Sequence, residues 1–149
     1  MTSAPRGQVL IVDGHDNQRQ TLRGILEDEG YRVTDRANAT SAIAALESGG
    51  FDAVVMDVNM PGMDGLTAMK RIGERDPDLA VLIVTGEALI QQAREFVVAG
   101  GAVDLLAKMP EPEELIGVIG QAGAMTRGRR ARQGRAREAP APGGARGRL

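Results

Sequence analysis

Short apolar runs alternate with amphipathic stretches along most of this chain. Gln8–Val12 (QVLIV), Ala53–Met56 (AVVM) and Ala80–Val84 (AVLIV) are continuous, rich in branched residues and bounded by polar ones. A strand with one wet face would alternate; unbroken runs of this length predict strands buried on both faces of a parallel sheet. Tyr31–Arg36 and Val103–Ala107 are weaker strand candidates in the same rhythm.

The stretches between them have helical spacing. Leu22, Ile25 and Leu26 mark a first helix, with Asp16 as its cap and Gly30 as its stop. Ala42, Ile43 and Leu46 mark a second that ends at Gly49-Gly50, and Leu66, Met69 and Ile72 a third closed by Asp76-Pro77. Leu89, Ala93, Phe96 and Val97 mark a fourth closed by Gly100-Gly101, and Leu115, Ile116 and Ile119 a fifth opened by Pro112. Strands alternating with helices predict an α/β three-layer sandwich with right-handed crossovers. The expected sheet is five-stranded and parallel, in the flavodoxin-like order 2-1-3-4-5 with five helices. The folded domain is expected over residues 7–123, after a short extension at 1–6. Beyond about residue 125 large apolar residues vanish, so residues 124–149 are expected to form a disordered Arg-rich tail.

Composition narrows the chemistry. Cysteine is absent, which excludes disulfides, thiolate metal sites and a cysteine nucleophile, and a single histidine, His15, argues against a His-rich metal site. The aromatics are Tyr31, Phe51 and Phe96 alone, so the core must be aliphatic and stacking on bases is disfavoured. No signal peptide and no run of roughly 20 apolar residues is evident, and the expected location is cytoplasmic. The net charge of −2 conceals an asymmetry: residues 1–125 carry 10 Lys and Arg against 19 Asp and Glu, whereas residues 126–149 carry 8 Arg against Glu138 alone. An acidic body with a basic tail leaves contact with nucleic acid, an anionic membrane surface or an acidic partner open for the tail.

In an open parallel sheet the functional crevice lies beyond the carboxyl ends of the strands. Here those ends carry Asp13, Asp57, Thr85 and Lys108. Two carboxylates, a small hydroxyl and an amine at one rim suit phosphoryl chemistry. A carboxylate attacks phosphorus, a hard cation offsets the repulsion between anions, and the ammonium and hydroxyl hold phosphoryl oxygens.

Four segments make the reading specific. VLIVD (Val9–Asp13), VVMDVNMPGMDGL (Val54–Leu66), VLIVTGEA (Val81–Ala88) and LLAKMPEPEEL (Leu105–Leu115) resemble, in order and at compatible spacing, the signature blocks of bacterial two-component response-regulator receivers. The resemblance implies that Asp57 is the phosphoacceptor and that Thr85 and Lys108 are the switch hydroxyl and phosphoryl-binding amine. It places Asp13, Asp57 and the backbone carbonyl of Asn59 around a Mg²⁺ ion. Asn59 and Glu87 fall where the family tunes phosphoryl lifetime, and their identities look like those of short-lived, chemotaxis-type receivers. The implied protein is a stand-alone, non-enzymatic receiver that takes its phosphoryl group from a sensor histidine kinase or a histidine phosphotransfer protein and signals by conformational switching to an unidentified protein target.

The sequence departs from that family at three places. Where receivers carry a second acidic residue, Gly14 offers no side chain, so Mg²⁺ is expected to bind more weakly unless Asp16 compensates. The usual Lys-Pro pair is Lys108-Met109. A non-proline cis bond costs about 2.5–4 kcal/mol, so the expectation is a trans bond with a displaced Lys108, or else a strained loop. Leu105 stands where the family has its aromatic switch residue. These departures keep a second reading open, a degenerate receiver that works as an interaction module without phosphorylation. A third reading is a cobalamin or flavin binder of similar sheet, since Asp13-Gly14-His15 begins like D-x-H-x-x-G; its glycine would fall at Gln18. Otherwise His15 is expected to be a solvated loop residue.

Overall fold

The structure is a computed structural model that describes residues 5–60 and 62–134. Its elements run β1 (Gln8–Val12), α1 (Asp16–Asp28), β2 (Arg32–Arg36), α2 (Ala39–Ala45), β3 (Ala53–Met56), α3 (Gly65–Arg75), β4 (Ala80–Thr85), α4 (Ile90–Val98), β5 (Asp104–Ala107) and α5 (Pro112–Gln133). All strand pairs are parallel, and the order is β2-β1-β3-β4-β5. The continuous apolar runs are buried as expected: every residue of β3 and β4, and all of β1 after Gln8, lies inside.

Two aliphatic layers cover the sheet. On one face Leu10, Val12, Val54, Met56, Val81 and Ile83 meet Ala42, Ile43, Ala68, Met69, Ile72 and Ala93 of α2, α3 and α4. On the other, Val9, Ile11, Val55, Leu82 and Val84 meet Leu22 and Leu26 of α1 and Leu115 and Ile119 of α5. Burying a Val, Leu or Ile side chain stabilises by about 1.5–3 kcal/mol, so these layers carry the fold.

Several sequence expectations shift at element ends. Asp16 is not a cap: His15 holds that position, and Asp16 sits in the first turn, where its carboxylate pairs with Arg19 at 2.8 Å. Gly30 does stop α1, with φ +100°, and Gly49 stops the short 3-10 turn after α2, with φ +71°; both angles favour a residue without a side chain. Asp64 and Asn38 cap α3 and α2 through their side chains, accepting from Thr67 N and Ser41 N. Leu66, read as a core marker of α3, is exposed, and Ala68 takes its place inside. Leu89 lies in a 3-10 turn ahead of α4.

The expected tail boundary is corrected most. α5 does not end near residue 123 but runs to Gln133. Its buried stripe continues past Ile119 through Ala122, Thr126 and Arg130, so two polar side chains carry on where large apolar ones stop. Thr126 Oγ1 accepts from Ala80 N at 2.9 Å and donates to Ala122 O at 3.1 Å, while Arg130 Nη2 donates to Asp76 at 2.6 Å. Thr126 is satisfied on both sides and Arg130 is ion-paired through Nη2, although its buried Nη1 has no hydrogen-bond partner; these bonds hold the helix end against the domain. The expected tail beyond residue 134 lies outside the described residues. At the other end Arg6, placed in the extension, is tied down: its N–H bonds Gly30 O, its guanidinium pairs with Glu29 and lies 5.4 Å from the Tyr31 ring centre.

Candidate functional site

Adjacent strands deliver the rim residues side by side. Asp13 and Asp57 follow β1 and β3, which are paired neighbours, and Asp57 N donates to Val12 O at 3.0 Å. Thr85 ends β4, and Lys108 follows β5, with Lys108 N bonded to Thr85 O at 2.9 Å. The parallel register therefore fixes all four side chains at the carboxyl edge, as the sequence led us to expect.

Their bonds are specific. Asp57 Oδ1 accepts from Thr85 Oγ1 at 2.8 Å and from Asn59 N at 2.9 Å. Its other oxygen accepts from Lys108 Nζ at 2.7 Å, and the same ammonium lies 2.8 Å from Asp13 Oδ2 and 2.5 Å from Gln18 Oε1. Asp13 and Asp57 are 1% and 2% exposed, so two carboxylates share a desolvated place and Lys108 supplies the charge that makes this tolerable. A cleft of about 360 Å³ opens over Asp57, lined among others by His15, Gln18, Asn59, Thr85 and Lys108.

The Lys108-Met109 peptide is cis, and Lys108 is not displaced: it reaches both aspartates. This corrects the expectation of a trans bond with a repositioned lysine. Met109 is exposed, Leu105 is half-buried against the core, and Glu87 stands exposed at the start of the turn before α4. Gly14 is exposed, and Asp16 does not compensate for it; its carboxylate is turned to Arg19.

Sequence reasoning missed three residues. His15 is the solvated loop residue expected, but its ring also turns to the site: Nδ1 lies 3.1 Å from Asp13 Oδ1, 3.7 Å from Asp57 Oδ2 and 3.4 Å from Lys108 Nζ. Gln18, noted only for breaking the cobalamin pattern, holds Lys108. Arg19 Nη1 donates to Asp13 O at 2.8 Å and its Nε to Asp35 at 2.7 Å, so it braces the end of β1. Arg23 also bonds Asp35. Burial pushes the Asp35 carboxyl up, but the hydrogen bonds and charges of Arg19 and Arg23 outweigh it and hold the group below the usual carboxylate range. The spacing Arg19–Arg23 on one helix face was a visible signal, but its target on β2 was not.

A parallel sheet in this order, with buried aspartates, a threonine and a lysine at the rim, defines a flavodoxin-like signalling domain of the receiver class. The chain belongs to the response regulator receiver domain family, which residues 9–120 match. It is 41% identical over 96 residues to the chemotaxis protein CheY of Pseudomonas aeruginosa, spanning 62% of this chain and 77% of CheY. It is 35% identical over 116 residues to the C4-dicarboxylate transport transcriptional regulatory protein DctD of Rhizobium meliloti, spanning 78% of this chain. Several transcriptional regulators it matches are longer: the chain spans 25% of DctD and 50% to 55% of two others. Among solved structures, a CheY-like receiver domain protein from Methanospirillum hungatei superposes with a TM-score of 0.74 at 26% identity, covering 83% of this chain and 98% of that one. Receiver domains work in two-component systems with histidine kinases or phosphotransfer proteins, and phosphorylation on aspartate is the family mechanism. Among the described residues no helix is long and apolar enough to cross a membrane.

Proposed function

We propose that this chain accepts a phosphoryl group on Asp57 and passes the signal on by a change of conformation. The observation that carries the reading is the division of labour at Asp57, whose two oxygens are bonded separately by Thr85 and Lys108. In the transfer, a carboxylate oxygen of Asp57 attacks phosphorus of a phosphohistidine. The O–P bond forms as the N–P bond breaks, and the imidazole leaves with the electron pair. Lys108 and Thr85 then bind the phosphoryl oxygens. Since Thr85 ends β4 and Lys108 follows β5, drawing both toward the new group biases the α4–β5 side between two arrangements.

The donor set fits a divalent cation: the carboxylates of Asp13 and Asp57, with Asn59 lining the same cleft and able to lend its carbonyl. When bound, Mg²⁺ supplies positive charge against the anionic nucleophile and donor. Asn59 and Glu87, beside the cleft and at its edge, are assigned to phosphoryl lifetime. The partners are a sensor histidine kinase or a histidine phosphotransfer protein on the input side and a protein target on the output side. The chain is a signalling module, with phosphorylation as its switch.

Incubation with a small acyl phosphate and Mg²⁺, followed by intact mass measurement, tests this. One phosphoryl increment on the wild type, absent in Asp57→Asn, supports it. No increment across full titrations with Mg²⁺ and with Mn²⁺ overturns it in favour of a phosphorylation-independent interaction module, the reading that Gly14 and the Lys108-Met109 pair support.

A further inference from the structure

We infer that His15 is a metal ligand in this chain, and that it turns the acidic pocket toward first-row transition dications such as Mn²⁺, Co²⁺ or Zn²⁺ and away from Mg²⁺. The inference deepens the receiver reading in that it uses the same pocket, but it concerns which ion the pocket selects.

Gly14 removes an oxygen donor from the loop after β1, and the next residue places a nitrogen donor in the same pocket. Ligand atoms of Asp13, His15 and Asp57 all lie within 4.8 Å of one another, the one such His, Asp or Glu group among the described residues. The individual separations carry more weight. Metal–nitrogen and metal–oxygen bonds of about 2.0–2.2 Å put neighbouring ligand atoms about 2.9–3.6 Å apart, from octahedral to tetrahedral angles. His15 Nδ1 lies 3.1 Å from Asp13 Oδ1, inside that span, and 3.7 Å from Asp57 Oδ2, just beyond its upper end, so a small closing movement of the half-exposed imidazole brings it into ligand distance of both carboxylates. With its proton on Nε2, a neutral imidazole leaves Nδ1 free to coordinate.

Ligand chemistry sets the preference. Mg²⁺ requires near-ideal octahedral oxygen coordination and gains little from an imidazole, whereas imidazole suits zinc, cobalt, nickel and iron. Two carboxylates and an imidazole are a mixed set that manganese, cobalt and zinc all accept. The site is buried on the carboxylate side and open on the histidine side, where the His15 side chain is 52% exposed, so an ion has an entry path. Lys108 stands between the carboxylates at 2.7 and 2.8 Å, so an arriving ion displaces its ammonium or shares the carboxylates with it.

The sequence makes the test clean, because His15 is the chain's single histidine and cysteine is absent. The full chain, without a histidine tag or phosphoryl donor, is titrated with Co²⁺ and followed by visible absorption. Mg²⁺ is then measured by competition. The same titrations are run on His15→Ala and Gly14→Asp, and the imidazole resonances of the wild type are followed during a Zn²⁺ titration. The expected result is that His15→Ala lowers Co²⁺ affinity at least about tenfold while leaving Mg²⁺ affinity within about twofold. Gly14→Asp should raise Mg²⁺ affinity, and Zn²⁺ should shift the imidazole signals of the wild type. If His15→Ala leaves the Co²⁺-to-Mg²⁺ ratio unchanged, or the imidazole signals stay still at saturating Zn²⁺, the inference is overturned. Phosphoryl acceptance by the wild type is scored separately: acceptance with an unchanged ratio sinks the ligand role and spares the receiver reading, and the reverse result does the opposite.

Discussion

Asp57 spends its two oxygens differently, one on neutral donors and one on an ammonium. That division makes Lys108 a competitor of any cation that enters. Two unit charges about 4 Å apart repel by about 4 kcal/mol at an effective dielectric near 20, and a dication doubles that to about 8 kcal/mol, most of which is relieved when the lysine swings aside. Lys108→Ala should therefore raise divalent-cation affinity about tenfold in a calorimetric titration; unchanged affinity would mean that the ammonium leaves the pocket freely. Asp35 gives a prediction in pH. Its carboxyl is held low in the folded protein, so the ionised form is favoured by folding, and its stabilisation is present above the ordinary carboxylate range and lost as pH falls through its folded value. Asp35→Asn should lower stability by about 1 kcal/mol at neutral pH, with the gap narrowing as pH falls through and below the ordinary carboxylate range, as read from urea unfolding at each pH. A gap that persists in acid would assign the loss to something other than charge. At this scale the sequence showed which residues end the strands, and hence Asp13, Asp57, Thr85 and Lys108. It did not show His15, Gln18 or Arg19, because their roles depend on how the loop after β1 turns and where α1 faces.

The interior strands were legible because burial on both faces writes itself as an unbroken apolar run. Helix ends were less so. Asp16 looked like a cap by residue type, yet the backbone enters the helix one residue earlier and the carboxylate serves Arg19. The extension of α5 was invisible for a different reason: its stripe is carried by Thr126 and Arg130, whose partners Ala80 and Asp76 are far away in sequence. Apolar periodicity cannot report a face held by hydrogen bonds. Thr126→Val keeps the shape but leaves the Ala80 N–H unpaired inside, which should cost about 1–3 kcal/mol. A shift in the urea midpoint with no change in slope would confirm a local loss. A neutral outcome would mean that this N–H finds another partner.

Across the whole molecule, the rim where a cation would bind is assembled from β1, β3, β4 and β5 together and exists only when the sheet is formed. Binding there must stabilise the entire domain. A divalent cation at about 100 times its dissociation constant should add about 2.7 kcal/mol, a rise of several degrees in thermal midpoint. Asp13→Asn should remove most of that rise while leaving the fold intact; an equal rise in the variant would place the ion elsewhere. α5 has a practical consequence at the same scale. It leaves the rim at Pro112 and, over 22 residues, spans about 33 Å to the opposite pole, where it is pinned near the start of β4. The helix ends there, at Gln133, which is exposed. A fluorophore on a cysteine introduced at Gln133, in a chain that has no cysteine of its own, would sit at that far end and leave the mouth over Asp57 clear, so the docking of a kinase could be followed without the label standing in its way.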